Sequence, residues 1–234
     1  MKTVVMISAI AEWKAVKEIF PALEITTSPY GDTALLHHHG FDLKLLHSGW
    51  GKIASAGAIQ YVIDHDQPDM IVNLGTCGGF EGEIGLNDVV LVERTFIYDI
   101  VELMGDLNIV EYYASTLNLS WLPEPYPYPV RKGTLASADS DLPPDKIAYL
   151  KSLGAIAGDW ESGALAWVAN KNAARLLILR GVSDLVNEKA GEAYDNLTLF
   201  EERTKDVMRK LFEQLPDWLR SVTIDRGRLT MDNR

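Results

Sequence analysis

The run Pro68-Asp69-Met70-Ile71-Val72-Asn73-Leu74-Gly75-Thr76-Cys77-Gly78-Gly79 decides the fold. Met70 to Leu74 is short and apolar, without the polar alternation of a half-exposed strand. Such a run reads as a strand buried on both faces, the kind found in parallel sheets covered by helices. Gly75, Gly78 and Gly79 then either bring the backbone close to a ligand or turn the chain out of the strand. Working outward, Val4 to Ile7 is a similar strand, turning at Ser8-Ala9 into a helix from Glu12. Asp88–Val92 and Arg175–Arg180 read as further strands, and Thr33–His38 and Leu43–His47 as a pair joined around Gly40. Lys52–His65, Glu161–Asn172 and Asn196–Leu215 read as helices, the last closed by Pro216, and Leu150 to Ala157 crosses from helix into a short strand. Tyr98 to Arg131, with Pro123, Pro125, Pro127 and Pro129, reads as a long irregular excursion; its stretch 121–129 is a candidate pocket lid or dimer contact.

Strands alternating with helices predict an α/β fold: a three-layer α/β/α sandwich around a central mixed, largely parallel twisted sheet. With no internal repeat and no linker, residues 1–234 read as a single domain with a C-terminal tail after about 216. Ligands of such sheets bind at the carboxyl ends of the strands. The residues of interest are therefore expected just after Ile7, Leu74 and Leu179.

The composition agrees with a globular chain: 234 residues, 47% apolar and 24% charged. The 22 basic against 33 acidic side chains give a formal charge of −11. Such a surface repels phosphate backbones and anionic headgroups, so neither nucleic acid nor a membrane surface is an expected partner. No apolar run reaches the roughly 18 residues of a membrane span. The N-terminal run resembles a short signal peptide, but its β-branched residues and the amphipathic segment after it favour a buried strand. The lone Cys77 excludes an internal disulfide, and a cytoplasmic location is expected. The Asn-X-Ser/Thr matches at Asn118 and Asn196 are then chance. Of His37-His38-His39, only His37 and His39 share a strand face, and with no third ligand no metal site is expected.

Three segments carry candidate chemistry. They are Ser8-Ala9-Ile10-Ala11-Glu12; His47-Ser48-Gly49-Trp50-Gly51-Lys52 with the run 68–79; and Gly158-Asp159-Trp160-Glu161-Ser162-Gly163-Ala164 with Arg180-Gly181-Val182-Ser183-Asp184. Singly, each has a plain structural explanation. Glu12 and Glu161 suit first-turn helix acids, and Asp184 a cap or loop residue. Neither the Walker pattern nor the dinucleotide fingerprint is present, so a phosphate cradle is not supported.

Together, these segments resemble the nucleoside phosphorylase and nucleosidase superfamily, most closely its 5'-methylthioadenosine/S-adenosylhomocysteine nucleosidase branch. The likeness runs from about residue 3 to residue 212. It rests on Ser-Gly-x-Gly-Lys at 48–52, Pro-Asp-x-Ile-x-Asn-x-Gly-Thr-x-Gly-Gly at 68–79, and the pairs Trp160-Glu161 and Ser183-Asp184. The resemblance implies cleavage of the bond between a purine nitrogen and C1' of ribose, through an oxocarbenium-like transition state, with neither metal nor organic cofactor.

By the same resemblance, Asp184 is the general acid at purine N7, oriented by Ser183. Glu161 holds the ribose hydroxyls, and Trp160, where relatives have Met, lies beneath the sugar. Glu12 activates a water held by Thr76 and Arg180. Gly78, Asp141, Leu142 and Trp50 line the substrate, with Trp50 narrowing the 5' end and backbone near Leu142 reading the base edge. Asn73 and Ser8-Ala9-Ile10-Ala11 stand where phosphorylases carry phosphate-binding arginines, which favours water as co-substrate. The chain departs from the pattern twice. The family's first-loop acid falls at Trp13, one residue beyond Glu12, and the adenine-stacking aromatic falls at Asp141. Phosphorolysis and a catalytically silent nucleoside binder are the rival readings. A homodimer is implied by resemblance alone.

Overall fold

Val4 and Met6 pack into one hydrophobic cluster and Val5 and Ile7 into another, on opposite faces of strand β1 (Thr3–Ile7). The same alternation runs along β5 (Met70–Phe80), where Met70, Val72 and Leu74 face one side and Ile71 the other. It recurs along β10 (Leu176–Val186), with Leu177 and Leu179 opposed to Leu176 and Ile178. Side chains of a strand alternate faces, so an unbroken apolar run demands a core on each side. These three strands therefore occupy the middle of the molecule. The structure, a computed structural model, describes residues 1–105 and 108–231, without the side chains of 224–231. Of the C-terminal arginines, the Arg226 and Arg228 side chains and Arg234 lie outside the described residues.

The other strands are β2 (Thr26–Ser28), β3 (Gly31–His38), β4 (Phe41–His47), β6 (Val89–Ile97), β7 (Ser115–Thr116), β8 (Arg131–Ser137) and β9 (Ala155–Asp159). They run in the order β10-β6-β8-β9-β5-β1-β4-β3-β2, with β7 beside β6. Because β5 also pairs with β10, strands β5, β10, β6, β8 and β9 close into a ring, from which β1 to β4 extend as an open sheet. The sheet is mixed. β1 is parallel to β4 and β5, and β5 to β10, while the β2–β3–β4 edge is antiparallel. Helices α1 (Ile10–Ile19) and α6 (Leu197–Met231) pack against each other, as do α2 (Gly51–Tyr61) and α5 (Ser162–Lys171) on the opposite side. The short helices α3 (Ile109–Tyr112) and α4 (Ile147–Ser152) lie in connections. Among the described residues no helix is long and apolar enough to cross a membrane.

Three local expectations need correction. The glycines after Leu74 are not a turn: β5 continues through Gly75, Gly78 and Gly79 to Phe80. Pro216 does not close the last helix, and no separate tail starts there, because α6 runs on to Met231. A proline inside a helix costs about 3 kcal/mol, partly through the lost donor to the carbonyl four residues back. Here that carbonyl, on Phe212, lies 2.9 Å from His38 Nε2, which replaces the missing N–H. Trp218, Leu219 and Val222 stay buried past the proline and hold the helix to the core. The tyrosine-proline stretch is no lid. Tyr128 donates to Asp217 at 2.5 Å and Tyr126 packs on Trp218, which fastens the stretch to α6.

The three consecutive histidines do separate things. His37 pairs with Asp42, His38 serves α6, and His39 sits at φ +47 in the turn before Gly40. Among the described residues no group of three or more His, Cys, Asp or Glu side chains is placed to hold a metal ion.

Candidate active site

The carboxyl ends of β1 and β9 and the middles of β5 and β10 converge on one buried guanidinium. Arg180, on β10, is fully buried and lies beside Gly75 of β5 in the ladder. Glu12 lies beyond β5, on the helix that follows β1, so the arginine must cross β5 to approach it. Gly75 makes the crossing possible. A Cβ there would stand 1.9 Å from Arg180 Nη1 and 2.6 Å from Glu12 Oε1. The glycine therefore admits a side chain of the protein rather than a ligand.

Arg180 Nε sits 2.9 Å from Asp159, while Nη1 is 3.8 Å from Glu12 and Nη2 is 3.5 Å from Glu161. Asp159 further accepts from Ser137 Oγ at 2.7 Å and from the hydroxyl and N–H of Ser162, capping α5. One cation thus faces three buried carboxylates. Neither Nη1 nor Nη2 makes a hydrogen bond to the described residues, so both keep donors directed between Glu12 and Glu161.

Glu12 occupies the third position of α1. Its Oε2 accepts the N–H groups of Ser8 at 3.3 Å and Ala9 at 3.0 Å. Its Oε1 accepts the Thr76 N–H at 2.6 Å and the Thr76 hydroxyl at 3.0 Å. Trp13 turns the other way, donating to Asp32 at 2.9 Å and stacking on His47. The helix start thus accommodates the one-residue offset: Glu12 is the acid that meets Thr76 and Arg180.

Glu161 precedes α5 and has fewer partners. Its Oε1 accepts from the Gly51 N–H at 3.2 Å. Gly51 adopts φ +80, a left-handed conformation that suits glycine. Burial, opposed by Arg180 and aided by the nearby Asp159 and Glu12 charges, pushes Glu161 up to about 8. Lys52 ties this corner together by pairing with Asp99 and Asp139.

Asp184 owes its direction to a bulge. The β10–β5 register slips between Val182 and Asp184, which inserts Ser183 and re-aims the next side chain. Asp184 is buried and accepts from Ser183 Oγ at 2.8 Å. Burial raises its pKa from the ordinary aspartate value, against the lowering effect of the Ser183 bond.

The lining residues divide. Leu142 reaches the centre, its Cδ1 lying 2.8 Å from the position of a Cβ on Gly78, and Asp184 Oδ2 lies 3.9 Å from the same point. Trp50 is 55% exposed at the start of α2, its ring 6.2 Å from Trp160. Asp141 is exposed and acts only through its charge on neighbouring groups. Cys77 is buried, and burial pushes its thiol up, away from a reactive thiolate.

Sequence reasoning missed Asp159, Tyr194 and Arg203. Asp159, three residues before Ser162 at a helix start, carried a capping signal. The other two carried none. Tyr194 donates to the Leu142 carbonyl at 2.6 Å, and Arg203 donates to the Ser183 carbonyl at 3.1 Å.

The family model described as Phosphorylase superfamily matches residues 6–215. The chain belongs to the phosphorylase superfamily. Within that superfamily it is similar to the 5'-methylthioadenosine/S-adenosylhomocysteine nucleosidases of Bacillus licheniformis and Bacillus pumilus. The first is 25% identical over 180 residues, covering 68% of this chain and 74% of the relative. The second is 26% identical over 201 residues, covering 77% and 81%. The fold matches the Streptococcus pneumoniae nucleosidase solved with 8-aminoadenine, at a TM-score of 0.75 and 20% identity, over 94% of this chain and 100% of that one. It also matches the Colwellia psychrerythraea nucleosidase solved with adenine, at a TM-score of 0.74 and 20% identity, over 94% and 96%.

Proposed function

We propose that this phosphorylase-superfamily protein hydrolyses the N-glycosidic bond of a purine nucleoside of the 5'-methylthioadenosine/S-adenosylhomocysteine type. Asp184 donates a proton to N7 of the departing base. A free Asp is protonated only about once per thousand molecules at pH 7, so the buried, raised Asp184 suits an acid. Glu161 holds the ribose hydroxyls, and in its ionised form, favoured only above about pH 8, its charge also supports the oxocarbenium ion. The π face of Trp160 supports the same cation. Glu12 takes the proton of the attacking water, with Thr76 and the free Arg180 donors around it. No step requires a metal ion or an organic cofactor.

The observation that carries hydrolysis over phosphorolysis is the commitment of Arg180. Its single charge is shared among Glu12, Asp159 and Glu161. A phosphate dianion entering there would meet three acidic side chains around a single shared cation, and so a net repulsion. Water carries no such penalty.

The test is base release from adenosine, 5'-methylthioadenosine, S-adenosylhomocysteine and inosine, with and without phosphate. Release independent of phosphate is expected; strict dependence on phosphate would refute the hydrolase reading. One observation favours a silent binder: protein donors already fill all four lone-pair positions of Glu12, which must free one to accept a proton. Binding without release in either buffer would establish that alternative.

The proposal extends to a cytoplasmic homodimer. Ile10, Trp50, Ile53, Leu103 and Met104 are exposed and follow the ends of β1, β4 and β6. Sedimentation should give twice the chain mass and Ile53→Asp a monomer; a monomeric wild type would refute the dimer. The lone Cys77 suits a reducing compartment, and recovery outside the cytoplasmic fraction would contradict that placement.

A further inference from the structure

Tyr194 lies between β10 and α6, and its ring packs with Leu142 and Val186 and against Gly191. Its hydroxyl donates to the Leu142 carbonyl at 2.6 Å. Leu142 and Asp184 flank Gly78 from two sides, so the tyrosine is tethered to a residue that borders the proton donor. Burial, together with the nearby charges of Asp141 and Asp184, raises the phenol and keeps it neutral. A neutral phenol owns one hydrogen. With that hydrogen given to Leu142, the oxygen can offer other groups only its lone pairs.

We propose that Tyr194 is a specificity-determining residue that accepts a hydrogen bond from an amino group at purine C6 and discriminates against a 6-oxo base. The inference rests on the reading that Asp184 serves N7. The C6 substituent lies on the same edge of the purine as N7, and is placed here on the Leu142 side of Asp184, within reach of the Tyr194 hydroxyl bonded to the Leu142 carbonyl. A 6-amino group donates to the phenol oxygen. A 6-oxo group sets lone pair against lone pair. Its alternative is to pull the hydroxyl from the Leu142 carbonyl, leaving a buried acceptor unmatched.

The test is calorimetric binding of free adenine, hypoxanthine and unsubstituted purine to the full chain, wild type and Tyr194→Phe. The wild type is expected to bind adenine about tenfold more tightly than either of the others, roughly one hydrogen bond's worth. Tyr194→Phe keeps the ring and should narrow all three affinities to within about twofold. The wild-type comparison with unsubstituted purine does not depend on the variant folding. Unchanged discrimination in Tyr194→Phe, equal affinities in the wild type, or no binding of any base would overturn the proposal. The base-release assay separates the two readings. Selective binding without cleavage would sink the hydrolase and keep Tyr194, whereas cleavage without selectivity would do the reverse.

Discussion

Gly75→Ala is the most demanding test of how the buried cluster is built. The added Cβ would lie 1.9 Å from Arg180 Nη1 and 2.6 Å from Glu12 Oε1, far inside contact distance. Neither group can retreat into solvent, since Arg180 is 0% and Glu12 2% exposed. Arg180 Nε is held at 2.9 Å by Asp159, and Glu12 by three backbone N–H groups and a hydroxyl. The guanidinium must therefore leave the cluster. Breaking a buried pair by displacing one partner costs about 3–5 kcal/mol. For a chain of this size that corresponds to a fall in Tm of roughly 6–20 °C. Urea denaturation and thermal melting of the wild type and Gly75→Ala measure it, with Gly78→Ala as comparison. The Gly78 neighbour is Leu142 Cδ1 at 2.8 Å, the end of a flexible side chain, so an overpacking cost of about 1–3 kcal/mol is expected there. A Gly75→Ala loss below about 1 kcal/mol would refute the reasoning, because the arginine would then have another place to go.

Asp184→Asn keeps the shape and a hydrogen-bond partner for Ser183 but cannot donate an acid proton. It should lower base release by about 10²–10⁴-fold with an unchanged melting temperature, and near-normal turnover would remove Asp184 from the acid role. Glu161 is raised from its ordinary 4.5 to about 8, so its contribution to stability is complete below 4.5 and lost as pH rises through about 8. Glu161→Gln should therefore match the wild type in stability near pH 4.5 and exceed it at pH 9; parallel stability curves across that range would contradict the shift. His38→Leu removes the donor to Phe212 and should cost about 1–3 kcal/mol in the urea midpoint. Adding Pro216→Ala should recover that loss by restoring the backbone donor, and no recovery in the double variant would break the assigned link.

Much of the core architecture was legible because burial on both faces leaves an unbroken apolar run. Val4–Ile7, Met70–Leu74 and Leu176–Arg180 carried that pattern, and all three lie at the centre of the sheet. Strand ends were less legible. Gly75, Gly78 and Gly79 left both a turn and a close approach to a ligand open, because local propensity cannot register that each gives space to a side chain from elsewhere, at Gly75 to Arg180. Pro216 read as a stop because its compensating donor, His38, is far away in sequence. Strand β8 went unread because Arg131-Lys132-Gly133 breaks its apolar pattern.

By itself, the sequence determined the layered α/β fold, since periodicity is a local property, and its resemblance to the superfamily marked Glu12, Glu161, Arg180 and Asp184 as candidate residues. Only the tertiary structure decided how they meet. The helix start sends Glu12 to Thr76 and turns Trp13 away, and a bulge re-aims Asp184. Asp159 claims the Nε edge of Arg180, and the Tyr194 hydroxyl takes the Leu142 carbonyl. Each of these depends on groups distant in the chain meeting where water is excluded, and there one charge or one lone pair already engaged changes what its neighbours can do.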